Sequence, residues 1–192
     1  MEHKLLDYTM SNTLNIIYDN RRSEKYEPLI GELRRQNITS YVIHPATVLK
    51  HSVVESINAS HKKLVQMAKE AGLPYVIIAE DDLMFTADGA WQYYLDNMPQ
   101  SFDLYLGCSY VKPFLLNKVA GFQLYTVHEK FYDTFLSAPD TDHIDIAMNY
   151  LGGDYHICLP VVALQRPGYS SNNNAYANYN HQTLSKEDLF RG

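Results

Sequence analysis

Basic charge is scarce in this chain: 16 lysines and arginines stand against 22 aspartates and glutamates, for a formal net charge of −6. A protein built to neutralise a phosphate backbone needs a cationic stripe, so nucleic acid is excluded as the main partner. Only two cysteines occur, Cys108 and Cys158. Both lie within apolar stretches, which favours two buried thiols over a disulfide framework. No apolar segment approaches the ~20 residues that span a bilayer. The opening residues, MEHKLLDYTMSNTLNIIYDN, have no basic region followed by an apolar run, so no secretory signal is expected. The expectation is a soluble, cytoplasmic protein, in which the sequons Asn37-Ile-Thr39 and Asn58-Ala-Ser60 are chance matches. Glycine is thin where a phosphate loop would need it. Neither GxGxxG nor GxxxxGK[ST] follows the first strand-like segment, which disfavours dinucleotide binding of the Rossmann type and P-loop hydrolysis.

What remains is enough for one domain. The chain has 192 residues, 46% of them apolar, sufficient for a sizeable core. Tyrosine is abundant, with 16 residues against one tryptophan. Its flat apolar ring and hydroxyl suit sugars and bases as well as core rims.

Apolar runs alternate with helical patterns along the chain. Leu14 to Tyr18 reads as a strand, followed by the polar turn Asp19-Asn20-Arg21-Arg22. Ser23-Glu24 opens a helix with Tyr26, Leu29, Ile30 and Leu33 on one face, and Tyr41 to Ile43 is the second strand. Helical spacing returns from Val54 to Ala71 and stops at Gly72. Tyr75-Val76-Ile77-Ile78-Ala79 is a continuous apolar run, expected for an interior parallel strand buried on both faces. Further strands are expected at Phe102 to Leu106, Gly121 to Val127 and His156 to Leu159. Asp142 is placed to cap a helix carrying Ile144, Ala147, Met148 and Leu151. The pattern predicts an α/β fold: a mainly parallel central sheet, helices on both faces, a single domain over 1–171, and a Ser/Asn/Tyr-rich tail or closing loop over 172–192.

The strand at Tyr75 runs directly into Glu80-Asp81-Asp82. Three adjacent carboxylates are costly unless something positive lies among them. A divalent cation is the simplest answer, because Mg²⁺ and Mn²⁺ favour oxygen ligands and often share them between one or two carboxylates and a substrate's phosphates. Strand alternation would set Glu80 and Asp82 on one side and Asp81 on the other.

Ser60-His61, a helix, Gly72, an apolar strand and Glu80-Asp81-Asp82 together resemble the pattern of glycosyltransferase family 25, which includes lipooligosaccharide and collagen galactosyltransferases. Gly121-Phe122-Gln123-Leu124-Tyr125 is similar to that family's strand before a helix, and Asp142 to Asp145 with Pro160 and Gln165 to its closing section. Where the family tends to carry a Gly-Cys pair, this chain has Ser56-Ile57. The resemblance implies a GT-A fold, Mn²⁺ or Mg²⁺, a nucleotide-sugar donor, and a glycan or lipopolysaccharide-type hydroxyl acceptor, with inversion at the anomeric carbon. It implies metal binding by Asp82 and a nucleotide or metal-shell role for Glu80 and Asp81. Ser60 and His61 would line the donor site.

The other candidates follow from chemistry and position. Asp145 is the candidate general base for the acceptor hydroxyl. Arg21 and Arg22, after the first strand, could pair with a diphosphate. Gln165, with the residues up to Ser170, could close over it. His156 and His181 are candidates for a further metal ligand. Two rivals stay open: a non-catalytic nucleotide- or carbohydrate-binding domain, and a sugar nucleotidyltransferase, which the glycine-free turn at Asp19 disfavours.

Overall fold

The computed structural model describes residues 12–110, 119–170, 175–179 and 185–192. Its centre is a six-stranded sheet. Strand β1 (Leu14–Tyr18) pairs in parallel with β2 (Tyr41–Pro45) on one side and with β3 (Tyr75–Glu80) on the other. Beyond β3 come β6 (Leu124–His128), β5 (Leu104–Leu106) and β7 (Tyr155–Ile157), giving the order β2-β1-β3-β6-β5-β7. Five of these strands run one way. β6 runs against both its neighbours.

The parallel strands β1, β2 and β3 need crossovers, and two helices supply them. Helix α1 (Tyr26–Arg35), entered through a 3-10 turn at Ser23–Lys25, connects β1 to β2. Helix α2 (Val53–Glu70) connects β2 to β3 and starts at Ser52, whose hydroxyl accepts the Glu55 N–H. A third helix, α3 (Ala90–Asp96), follows the short strand β4 (Leu83–Phe85), while α4 (Tyr132–Leu136) and α5 (Ile144–Leu151) follow β6.

Helices cover both faces, and the alternation of β3 shows how. Ile77 and Ala79 point into a core with Leu29, Leu33, Trp91 and Tyr94 from α1 and α3. Val76 and Ile78 point into a second core with Leu64, Val65, Phe135, Ala147 and Met148 from α2, α4 and α5. Each buried Val, Leu, Ile, Phe or Met among them contributes about 1.5–3 kcal/mol relative to exposure. Both cysteines are buried and unpaired.

Two small antiparallel pairs complete the described structure. β8 (Ala163–Gln165) lies against β4, and β9 (Gly168–Ser170) against β10 (Ala175–Ala177). Near the C-terminus, the Phe190 N–H donates to Val161 O at 3.0 Å and its ring meets Tyr93 at 4.5 Å between centroids. No helix among the described residues is long and apolar enough to cross a membrane.

Candidate active site

Register builds the site. Ile17 pairs with Glu80, so the turn after β1 and the acidic turn after β3 emerge side by side at the carboxyl edge of the sheet. Because β6 is antiparallel and Leu124 pairs with Ala79, its amino end, Gly121 to Gln123, joins them at the same edge. Ligands of open α/β sheets bind there. A cleft of about 410 Å³ occupies the position, lined by Asp19, Arg21, Arg22, Ser60, His61, the three acids, Gln123, Asp145 and Gln165 among others. That volume is in the range of small-molecule sites.

Strand alternation stops at Glu80, which corrects the expected placement of the acids on opposite sides. Asp81 and Asp82 form a turn, and both carboxylates converge on one lysine. Lys25 Nζ donates to Asp81 Oδ1 at 2.8 Å and to Asp82 Oδ2 at 2.7 Å. Asp81 Oδ2 accepts the Asp19 N–H at 3.0 Å, so Asp81 ties the two turns together. Asp82 is different. Its Oδ1 is buried without a hydrogen-bond partner among the described residues. Burial raises both carboxyls above the ordinary aspartate value, against the lowering pull of Lys25, and the Glu80 charge raises Asp82 further.

Behind the acids, His61 Nδ1 shares a hydrogen bond with Tyr125 Oη at 2.7 Å, and its Nε2 lies 3.3 Å from Glu80 Oε1. His61 is buried while Glu80 is partly open, so the imidazole orients that carboxylate from within the protein. Ser60 holds the cleft wall. Its hydroxyl donates to Ser56 O and accepts the Thr47 N–H, both at 2.8 Å. One turn earlier, Ser56 Oγ accepts the Leu49 N–H at 2.9 Å. The two serines thus pin the β2–α2 loop from one face of α2.

Across the cleft, Asp145 sits in the first turn of α5. Its Oδ2 accepts the Gly121 N–H at 2.7 Å and its Oδ1 the Ile146 N–H at 2.9 Å. The helix is not capped by Asp142 as its sequence position suggested. Its N-cap is His143, which makes no side-chain cap bond, and Asn58 of α2 meets the Ile144 N–H instead.

Arg21 lines the cleft, yet its guanidinium forms a two-point pair with Asp19, which lowers that carboxyl through the hydrogen bond. Arg22 Nη2 donates to Tyr169 O at 2.6 Å and ties β9 to the cleft rim. Gln165 is brought in by the β4·β8 pair and accepts from Gln123 Nε2 at 3.3 Å. His156 is not part of the cleft: it lies on β7, at the end of the sheet order, with its Nε2 on Asp154. His181 lies outside the described residues. Lys25 and Gln123 are the residues that sequence reasoning missed, since each becomes interesting only through a partner distant in the chain.

No group of three or more His, Cys, Asp or Glu among the described residues is arranged to hold a metal ion. The residues do fit a cation that takes part of its shell from a substrate. Asp82 Oδ1 is an orphaned buried carboxylate oxygen, and Glu80 adds a second hard donor.

No protein-family model and no curated protein matches the chain. Solved structures do. A197 from STIV matches over 91% of this chain and 97% of its own, at 15% identity and a TM-score of 0.56. A mutant Drosophila beta-1,4-galactosyltransferase 7, in complex with manganese, UDP-Gal and xylobiose, matches over 78% of this chain at 13% identity and a TM-score of 0.50. The match spans 65% of that enzyme's chain, just under two thirds. These likenesses show the fold alone, a small GT-A-like α/β domain with a mostly parallel central sheet.

Proposed function

We propose that this protein is a cation-dependent glycosyltransferase that moves a sugar from a nucleoside diphosphate sugar to an acceptor hydroxyl. The observation that carries this reading is Asp82 Oδ1, a buried carboxylate oxygen with no hydrogen-bond partner among the described residues, in a cleft that Glu80 and Asp145 also line. Asp82 and Glu80 would hold Mn²⁺ or Mg²⁺. When bound, that cation would neutralise the charge developing on the leaving diphosphate.

The chain's own groups perform the rest. Arg22, at the rim, adds positive charge beside the diphosphate. Asp145 is held by two N–H donors while it faces the cleft, as a general base for the acceptor hydroxyl must be. One base and direct attack give inversion. His61 fixes Glu80, and the β2–α2 loop pinned by Ser56 and Ser60 walls the donor side. The family 25 resemblance around residues 60 to 85 supports a hexosyl donor and a glycan or lipopolysaccharide-type acceptor. The UDP-Gal bound by the galactosyltransferase makes uridine the first nucleotide to try.

The test is thermal stabilisation by nucleotides and nucleotide sugars with and without Mn²⁺. A ligand at 100 times its Kd adds about 2.7 kcal/mol. Stabilisation that requires Mn²⁺ and disappears in Asp82→Ala supports the reading, and donor turnover then separates an enzyme from a binding domain. No response to any nucleotide at millimolar concentration refutes it.

A further inference from the structure

The acidic turn already holds a cation, and that cation belongs to the chain. Lys25 Nζ lies within 2.8 Å of both Asp81 and Asp82, and its side chain is only 11% exposed. The lysine reaches them because its 3-10 turn comes just after the polar turn that ends β1, and β1 pairs with β3. One ammonium cannot balance two aspartates. The pair keeps a negative charge before Glu80 is counted, and Asp82 keeps a buried oxygen with no partner among the described residues. A buried carboxylate in this state favours a stronger cation than an ammonium.

We propose that Lys25 is a built-in competitor for the divalent cation, which binds by displacing the ammonium from the Asp81–Asp82 pair. This rests on the reading of Asp82 and Glu80 as cation ligands. With the cleft empty, Lys25 keeps the turn folded and offsets part of its negative charge. Freeing Lys25 lowers the affinity of the empty site for a bare cation. A diphosphate, which brings its own oxygen ligands, restores that affinity, so cation and donor arrive together.

The experiment titrates Mn²⁺ alone, by calorimetry, into wild type, Lys25→Met and Lys25→Arg. Lys25→Met is expected to bind Mn²⁺ at least tenfold more tightly than wild type, with Lys25→Arg within about threefold of it. Equal affinity in wild type and Lys25→Met overturns the competition and leaves the cation reading standing. No binding to any of the three, each shown folded by its melting curve, also overturns the competition, and the cation reading then stands or falls on the Mn²⁺-dependent stabilisation by nucleotides. Lys25→Met leaves two buried carboxylates without a counter-ion and can fail to fold, so a second measurement uses wild type. Reductive methylation, read by peptide mass spectrometry, should label Lys25 several-fold faster in saturating Mg²⁺, with exposed Lys63 unchanged. A Lys25 rate that Mg²⁺ does not move overturns the displacement.

Discussion

Asn58, in the middle of α2, accepts the Ile144 N–H through its side-chain oxygen at 3.0 Å and so serves as the missing cap of α5. Its amide nitrogen donates to Asp142 O at 2.8 Å, and the side chain is fully buried. One residue beyond Ile144, Asp145 enters the cleft, so the placement of the candidate base depends on a residue of a different helix, α2. Asn58→Ala should cost about 1–3 kcal/mol, because it leaves a buried helix N–H unsatisfied. Urea denaturation measures this directly. A loss below about 0.5 kcal/mol, the range of an ordinary surface change, would remove the capping role.

Gly121 donates its N–H to the same Asp145 from the other side, at a φ of +95°. A Cβ at this position would lie 2.6 Å from the Tyr110 ring and 2.7 Å from Gln123 Oε1. Gly121→Ala should therefore combine backbone strain of about 1–3 kcal/mol with a clash in the cleft. The expected outcome is a lower melting temperature together with weaker nucleotide-dependent stabilisation. A variant that melts with wild type would show that this strand entry can shift freely.

Asp145→Asn keeps the outline of the side chain, removes its basicity and gives up one of the two N–H bonds that its carboxylate accepts. With Asp145 as general base, turnover should fall by about 10²–10⁴, while stabilisation by nucleotide and Mn²⁺ stays near wild type. Rate measurements at saturating donor, set beside melting curves, separate the two effects. Loss of ligand stabilisation instead would place Asp145 in binding.

His44 supplies a pH dependence outside the site. It lies on β2 with Nε2 at 3.0 Å from Asn15 Oδ1, and burial, helped by the nearby Lys63 charge, lowers its pKa below 6.5. The unfolded chain therefore takes up this proton at a pH where the folded chain refuses it. Stability from this residue is present above about 6.5 and declines as pH falls toward the lowered value. Urea midpoints between pH 7.5 and 5 should fall more for wild type than for His44→Gln. Parallel profiles would refute the assignment.

The strands that carry the site were legible because their signals are local. Leu14 to Tyr18 and Tyr75 to Ala79 are dense apolar runs that end in polar turns, and β1 and β3 coincide with them apart from one added residue at Glu80. The antiparallel direction of β6 was not legible, since Leu124 to His128 would read the same with the chain reversed. Neither was the cap of α5. Asn58 read as part of a chance sequon, and Asp142 stood where a cap usually stands. The side of the strand taken by each acid was misread because period-two alternation fails once the chain turns at Asp81.

By itself the sequence determined that a buried strand ends in three acids, that an α/β alternation surrounds it, and that no phosphate loop or basic surface competes for the function. These follow from local pattern and composition, which act within a few residues. Only the tertiary structure decided that Lys25 sits between Asp81 and Asp82, that one Asp82 oxygen has no hydrogen-bond partner among the described residues, and that Asp145 faces the same cleft. The physical reason is register. The pairing of β1 with β3 and of β3 with β6 brings residues more than forty positions apart into contact, and no spacing along the chain encodes that contact.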